Sequence, residues 1–445
     1  MADASRTASL ARVRAKTEVP LALPRISMIQ VGDLHLPSAM RSPLFVDKKD
    51  SRFPLDLLGK LASPPIKTVF RAIHQLLEKG EYKAITFMGD VTDYGDLAGF
   101  QAGCLYIADS LEIHRGGRHG GTAVGIVPGN HDVDRKLALA PGMVTKFKPL
   151  QDAVGAAKLP PLPIEAPVWL HCSEPPCSIR IALLNSCWGC GAKEFIPKEF
   201  SDRVAEAIKK AIDDDTSNEA MKAYYDRQLD TPAFSEDDLY GLIEGASKHD
   251  GTDLLVICAH HNLLPQRLTR LAPYTELVNS GAFRGTLIDL ERPIIYLHGH
   301  IHEDPIEVLQ RPGSYPLVCI SAPEASKGFN VLEALFTKDG IPLSVRIVPW
   351  RFDKSGFLRA QPSQSVALIG PRRRSSDSLV AEVYAELLRQ RACYWSAILN
   401  FPCLLETTDK EEVLEEALEL LQADGRITIE NHDLPFRHWI VEARI

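Results

Sequence analysis

Short apolar runs, rich in β-branched residues, recur through residues 26–350 and stop abruptly at polar ones. Ile26–Val31, Ala84–Met88, Ala123–Val127, Leu254–Cys258 and Ile294–Leu297 predict buried strands. Ile179–Ser186, Phe329–Phe336 and Leu343–Val348 predict three more. Between them, Ile66–Lys79 and Leu97–Leu111 carry apolar residues at helical spacing, and Val204–Ile212 and Leu239–Ser247 are shorter helix candidates. The alternation predicts an α/β domain over residues 26–355. Its strands crowd toward the end, so part of the sheet should be antiparallel.

Punctuation marks the rest. Pro37–Pro65, the proline-rich Pro160–Pro176 and the basic, glycine-rich His114–Gly121 predict loops. The pattern breaks over Phe352–Ser376, and residues 356–375, which include Arg372, Arg373 and Arg374, are expected to be a linker. Beyond it, residues 376–445 predict a small α+β appendage. Leu379–Asn400 and Glu411–Ala423 should be helical, and Arg426–Glu430 and Trp439–Ala443 short strands. Such a module can serve a protein partner. Glu411, Glu412, Glu415, Glu416 and Glu419 are expected to form a solvated helix face. Residues 1–25 carry Arg6, Arg12, Arg14 and Lys16 without an apolar core, and predict a mobile tail, not a signal peptide.

Composition narrows the class. With 45% apolar and 24% charged residues, the 445-residue chain has the make-up of a globular protein. A net charge of −8 argues against a general nucleic-acid coat. No apolar run is long enough for a membrane span. Nine scattered cysteines fit a reducing compartment, so the expected location is cytoplasmic, with no membrane partner.

The chemistry sits where the strands end. The clusters are Asp33-Leu34-His35, Gly89-Asp90, Gly129-Asn130-His131-Asp132, Ala259-His260-His261 and His298-Gly299-His300-Ile301-His302. Strand ends are where α/β folds bind ligands. Asp33, His35, Asp90, Asn130, His260, His300 and His302 are seven oxygen and nitrogen donors of the kind Mn, Fe, Zn or Ni accept. Seven is too many for one tetrahedral structural zinc. It suits two ions sharing a carboxylate.

The order D-x-H, G-D, G-N-H-D, a lone His after a strand, and G-H-x-H resembles the calcineurin-like metallophosphoesterase family. The resemblance covers about 270 of the 445 residues and stops before about residue 360. It implies a four-layer α/β/β/α sandwich. It implies that Asp33, His35 and His302 hold one metal, that Asn130, His260 and His300 hold the other, and that Asp90 bridges them. Manganese heads the expected metals. Two ions about 3.5–4 Å apart clamp a phosphate and generate a hydroxide for in-line attack. His131 would protonate the leaving oxygen, contributing roughly 10²–10⁴-fold. Asp132 would orient His131.

Within the family the wording Gly89-Asp90-Val91-Thr92-Asp93 is similar to bacterial cyclic-nucleotide and phospholipid-derived diester hydrolases. Purple acid phosphatases carry a tyrosine ligand where Asp93 stands, although Tyr94 is adjacent. Gly89–Gly95 also lacks the arginine of protein Ser/Thr phosphatases. The expected function is therefore a phosphodiesterase acting on a small diester such as a cyclic nucleotide. A DNA or RNA nuclease on the same core is the alternative. A non-catalytic signalling or scaffold protein is a third, disfavoured by the intact donor set.

Several residues carry two readings. His261 is a substrate contact or a packing residue. Arg135 pairs with substrate phosphate or forms a surface ion pair. Asp93 could simply cap a helix. Cys187-Trp188-Gly189-Cys190 is a C-x-x-C preceded by Cys172 and Cys177. An extended strand over Ile179–Ser186 would hold the two pairs roughly 26 Å apart, so the four cysteines are not expected to share an ion.

Overall fold

In the computed structural model the described residues are 23–36, 65–92, 95, 97–191, 198–214, 231–248, 253–265, 277–303, 305–370, 378–432 and 434–444. Most of Pro37–Pro65, together with Asp93, Tyr94, the arginine triplet and residues 1–22, lies outside them. The chain divides into two units, Pro24–Ser376 and a second made of Met1–Leu23 with Asp377–Ile445.

The larger unit is built on two sheets. β1 (Arg25–Val31), β2 (Tyr82–Phe87) and β3 (Ala123–Ile126) pair in parallel. Parallel neighbours need crossover connections. Here these contain α1 (Pro65–Glu78) and α2 (Leu97–Leu111). α3 (Lys148–Ala156) then leads to the second sheet. That sheet holds β4 (Val168–Glu174), β5 (Cys177–Leu183), β6 (Leu254–Cys258), β7 (Ile294–His298), β8 (Ile306–Leu309) and β9 (Leu317–Ser321). The strand order is β4-β5-β6-β7-β9-β8, parallel from β5 to β9. α4 (Lys198–Asp214), α5 (Glu236–Ser247) and α6 (Ser280–Asp289) lie within its connections. The chain returns to the first sheet with β10 (Gly328–Phe336), β11 (Pro342–Phe352), β12 (Leu358–Ala360) and β13 (Gln364–Ala367). β10 runs antiparallel to β1, which gives the mixed sheet that the late crowding of strands predicts.

Two expectations need correction here. The linker over 356–375 is partly sheet, because Leu358–Phe352 and Ala367–Ser344 pairings extend the first sheet through β12 and β13. Short polar strands with Pro362 between them lack the apolar run that marks a strand in sequence. α5 starts three residues before Leu239. Ser235 accepts the Asp238 N–H at 3.0 Å, and Asp238 reaches back to the Ser235 N–H, a capping box that fixes the start.

Strand alternation sorts apolar side chains into three clusters. Met28, Ala84, Leu332 and Ile347 of the first sheet meet Ile181, Val256 and Leu297 of the second. Ile29, Val31 and Val331 face the other way, onto Phe70 and Ile73 of α1 and Phe100 and Ile107 of α2. Ala182, Ile257 and Tyr296 pack with Leu242 of α5 and Phe283 and Leu287 of α6. One buried polar network also joins the sheets. Gln30 of β1, fully buried, donates to the carbonyls of His298 (3.2 Å) and Ile320 (3.0 Å). Asn330 of β10 donates to Gln30 Oε1 and to the Ser321 carbonyl, both at 3.0 Å.

The smaller unit contains α7 (Ser378–Gln390), β14 (Ala392–Tyr394), α8 (Trp395–Ile398), α9 (Lys410–Ala423), β15 (Ile427–Glu430) and β16 (Ile440–Ala443). Its sheet order is β14-β16-β15. The helix expected over Leu379–Asn400 is interrupted. Arg391 takes a φ of 67° and Cys393 pairs with Val441. Val383, Leu387, Leu414, Leu418, Ile427 and Val441 form this unit's own core. Glu415 and Glu419 are not on a solvated face. Both are buried; Glu415 accepts the Leu23 N–H at 3.1 Å, and Glu419 lies 3.6 Å from His432.

Candidate metal centre

All seven expected donors sit just past strand ends. Asp33 and His35 follow β1, Asp90 follows β2, Asn130 opens a 3₁₀ turn after β3, His260 follows β6, and His300 and His302 follow β7. Four of them hold a backbone that residues with a Cβ rarely adopt. φ is 43° at His35, 48° at Asp90, 65° at His300 and 55° at His302. Such conformations cost about 1–3 kcal/mol each and persist where the surroundings enforce them.

The donors converge. His302 Nε2 lies 2.6 Å from Asp33 Oδ2 and 3.4 Å from His35 Nε2. His260 Nε2 lies 2.9 Å from Asn130 Oδ1 and 3.5 Å from Asp90 Oδ2, while its Nδ1 rests 2.7 Å from the Met88 carbonyl. That second contact fixes which nitrogen faces the cluster. Asp90 Oδ2 is also 3.9 Å from His35 Nε2, so one oxygen stands between the two groups. Asp33, His35 and His302 present donor atoms within 4.8 Å of one another, as do Asp33, Asp90 and His260, and His260, His261 and His300.

The charge states suit a cation. Burial alone would raise the Asp33 pKa, but His260, His302 and His35 outweigh it and hold the carboxyl well below its usual range. Asp90 is lowered by the same balance, burial against His260, His131 and His35. His300 is pushed down to about 3, chiefly by burial and then by His260. Two buried carboxylates are costly without a counter-charge, and a neutral imidazole is the form that binds metal. The residues present therefore fit two divalent ions.

The remaining candidates differ in placement. His131 is half-buried. Its backbone N–H donates to Asp90 Oδ1 at 2.8 Å, and its ring meets that of His35 edge-on at 5.1 Å between centroids. Asp132, expected to orient His131, is fully buried. Its two oxygens accept the backbone N–H groups of Val91 (2.8 Å) and Gly129 (2.9 Å), so it ties the Asp90 loop to the Asn130 loop. Burial and Asp90 push its pKa well up, against the pull of those two donors. Arg135 is 3% exposed and donates to the Asn130 carbonyl at 3.0 Å. Through that bond it buttresses the loop that carries Asn130. His261 is buried, with Nδ1 3.0 Å from Ser186 Oγ and its carbonyl bonded to the Tyr296 hydroxyl at 2.7 Å. Its ring lies beside those of His260 and His300. Cys172 and Cys177 lie at the opposite end of β5 from Cys187, as the strand argument requires.

Sequence reasoning missed the glycines as spacers. A Cβ on Gly129 would lie 2.0 Å from Asp90 Oδ1. It also missed Gln30, whose amide donates to carbonyls of the other sheet. The glycines were written inside each motif; only the geometry tells why they are there.

Known proteins place this arrangement. A family model described as calcineurin-like phosphoesterase matches residues 26–304. No curated protein matches the sequence. Solved structures with likeness to it include a dimetal phosphatase from Danio rerio, at 12% identity and TM-score 0.41, covering 78% of this chain and 100% of that one. The purple acid phosphatase PPD1 from yellow lupin (Lupinus luteus) seeds aligns at 11% identity and TM-score 0.42, over 78% of this chain and 55% of that one. The NAD nucleotidase of Haemophilus influenzae aligns at 13% identity and TM-score 0.37, over 80% and 56%. Among the described residues no helix is long and apolar enough to cross a membrane. With the matched span covering well over half of its length and all five motifs, the chain belongs to the calcineurin-like phosphoesterase family of metal-dependent phosphoester hydrolases.

Proposed function

We propose that this enzyme is a phosphodiesterase acting on a small diester such as a cyclic nucleotide, with two divalent transition ions, manganese first among them. The observation that carries the two-ion reading is Asp90 Oδ2, which stands 3.9 Å from His35 Nε2 and 3.5 Å from His260 Nε2. In this reading Asp33, His35 and His302 hold one ion, Asn130, His260 and His300 the other, and Asp90 both. When bound, the ions supply charge for the phosphate oxygens and lower the pKa of water.

The chain's own residues do the rest. Asp33 and Asp90 stay ionised because imidazoles surround them. The Met88 carbonyl and Asn130 Oδ1 orient His260 from either side. His131, anchored through its N–H to Asp90 and left half-buried, holds a proton at the edge of the cluster for the leaving oxygen. Arg135 and Asp132 keep the Asn130-His131 turn in place.

The test is turnover, with Mn²⁺ added, of cyclic mononucleotides, cyclic dinucleotides, glycerophosphodiesters, single-stranded DNA and phosphopeptides. Small diesters should be hydrolysed fastest. A preference for single-stranded DNA would replace this reading with a nuclease. A preference for phosphopeptides would replace it with a phosphatase.

A further inference from the structure

Three softer donors gather beside the centre described above. Cys187 follows β5, and the Cys190 N–H donates to the Cys187 carbonyl at 3.0 Å, closing a C-x-x-C turn. Both thiols are fully buried and unbridged. Cys187 Sγ lies 3.8 Å from His261 Nδ1. The two sulfurs and one imidazole nitrogen of His261 all lie within 4.8 Å of one another. A tetrahedral ion with Zn–S near 2.3 Å and Zn–N near 2.0 Å sets sulfur and nitrogen about 3.5 Å apart. The observed spacing needs only a slight contraction. Ser186 Oγ, 3.0 Å from the same Nδ1, brings an oxygen to the same place.

Two buried cations flank this turn. Lys146 is fully buried and donates to the carbonyls of Trp188 (2.6 Å) and Cys190 (2.7 Å). Arg135 Nη1 comes within 2.9 Å of where a Cβ on Gly191 would stand, next to Cys190. Burial raises the Cys187 thiol pKa well above its usual value, and Cys190, Asp90 and Asp132 add to the rise, so the pair would become thiolates only on taking a cation, which deprotonates a coordinating thiol.

We propose that Cys187, Cys190 and His261 form a third metal position, for a thiophilic divalent ion of the zinc class, separate from the Asp, Asn and His centre. The His261 ring lies 4.8 Å from that of His260 and 4.4 Å from that of His300, between centroids. An ion on His261 would therefore fix the wall against which two donors of the other centre rest. This makes His261 a positioning residue and leaves it no part in contacting substrate.

The experiment uses the full chain, purified anaerobically with a thiol reductant and reloaded with Co²⁺. A thiolate-to-cobalt charge-transfer absorption is expected in the unaltered protein. It should persist in Asp90→Ala, where the oxygen and nitrogen centre is disrupted, and disappear in Cys187→Ser. Cys187 and Cys190 should resist alkylation until the metal is chelated. Because the first two readouts need no cysteine variant, a Cys187→Ser protein that fails to fold leaves the proposal exposed to refutation. Absence of the absorption in the Co²⁺-loaded unaltered protein, with both thiols open to alkylation, overturns it. An intact mass lower by two hydrogens also overturns it, since the pair would then be a disulfide. Loss of hydrolysis with the absorption intact would count against the phosphodiesterase reading alone.

Discussion

Asp33 and Gly299 stand so close that a Cβ on Gly299 would lie 2.0 Å from Asp33 Oδ1. The bare Cα lets the chain pass, and the next N–H, of His300, then donates to both Asp33 oxygens at 3.0 Å. That approach brings residues 267 positions apart into one cluster. Gly129 repeats the arrangement against Asp90. Gly299→Ala must move either the carboxylate or the loop that carries His300 and His302. Overpacking of this kind costs about 1–3 kcal/mol. The variant should fold with a lowered Tm and bind less metal. Metal analysis beside a thermal melt checks it, and wild-type metal content would contradict it.

Asp90 and Asn130 should separate in their effects on metal. Asp90 Oδ2 faces both imidazole groups, whereas among the described residues Asn130 Oδ1 faces His260. Asp90→Ala should lose both ions and hydrolysis of a chromogenic diester. Asn130→Ala should weaken chiefly the second ion, so that added Mn²⁺ restores part of the rate. Full occupancy in Asp90→Ala would remove the shared-carboxylate assignment.

His131→Ala should keep its metals, because the bond to Asp90 is made by its backbone N–H, which the substitution retains. Turnover should fall about 10²–10⁴-fold on substrates with poor leaving groups. A nitrophenolate leaves without a proton, so an activated diester should be partly spared. Equal losses on both would leave His131 as a phosphate contact at most.

The sequence made the strands and the donors legible for one reason. A strand buried on both faces is a continuous apolar run, and the residue after it is free to be polar, so Val31 to Asp33 and Cys258 to His260 each mark a strand and a donor together. What depends on space between distant residues was not legible. Gly299 reads as motif filler until Asp33 is placed against it. The backbone partners of Arg135 and Asp132 were not legible either, because only their charge shows in the sequence. β12 and β13 read as linker because short edge strands need no apolar run. Arg391 hid the break in a predicted helix, since nothing in the residue type announces a positive φ.

Gln30 illustrates the same gap and can be tested. Its amide serves the His298 and Ile320 carbonyls, and its carbonyl takes the Asn330 amide. Gln30→Leu keeps the volume roughly constant but strands these buried groups, at about 1–3 kcal/mol each. A drop in the denaturant midpoint is expected, together with weaker metal binding, because His298 leads directly into Gly299 and His300. An unchanged midpoint would show that the network contributes nothing to joining the sheets.

A chain ending at Gly370 should stay folded, hold the dinuclear metals and cleave a small chromogenic diester. All seven donors lie before residue 303. The first sheet ends with β13 at Ala367, and Leu368 and Ile369 are still buried, so the cut must fall after them and not at the expected boundary of 355. The apolar faces of α7 and α9, which would otherwise be left seeking cover, pack in their own cluster with Trp395, Ile427 and Val441. Each unit therefore brings a core of its own, as separable domains do. A chain ending at residue 355 should behave differently. It removes β12 and β13 from β11, exposing Val345 and Ile347, and should aggregate. Gel filtration and metal content of the two truncations decide the matter. An insoluble or metal-free protein ending at Gly370 would mean that the smaller unit is needed for the catalytic fold itself.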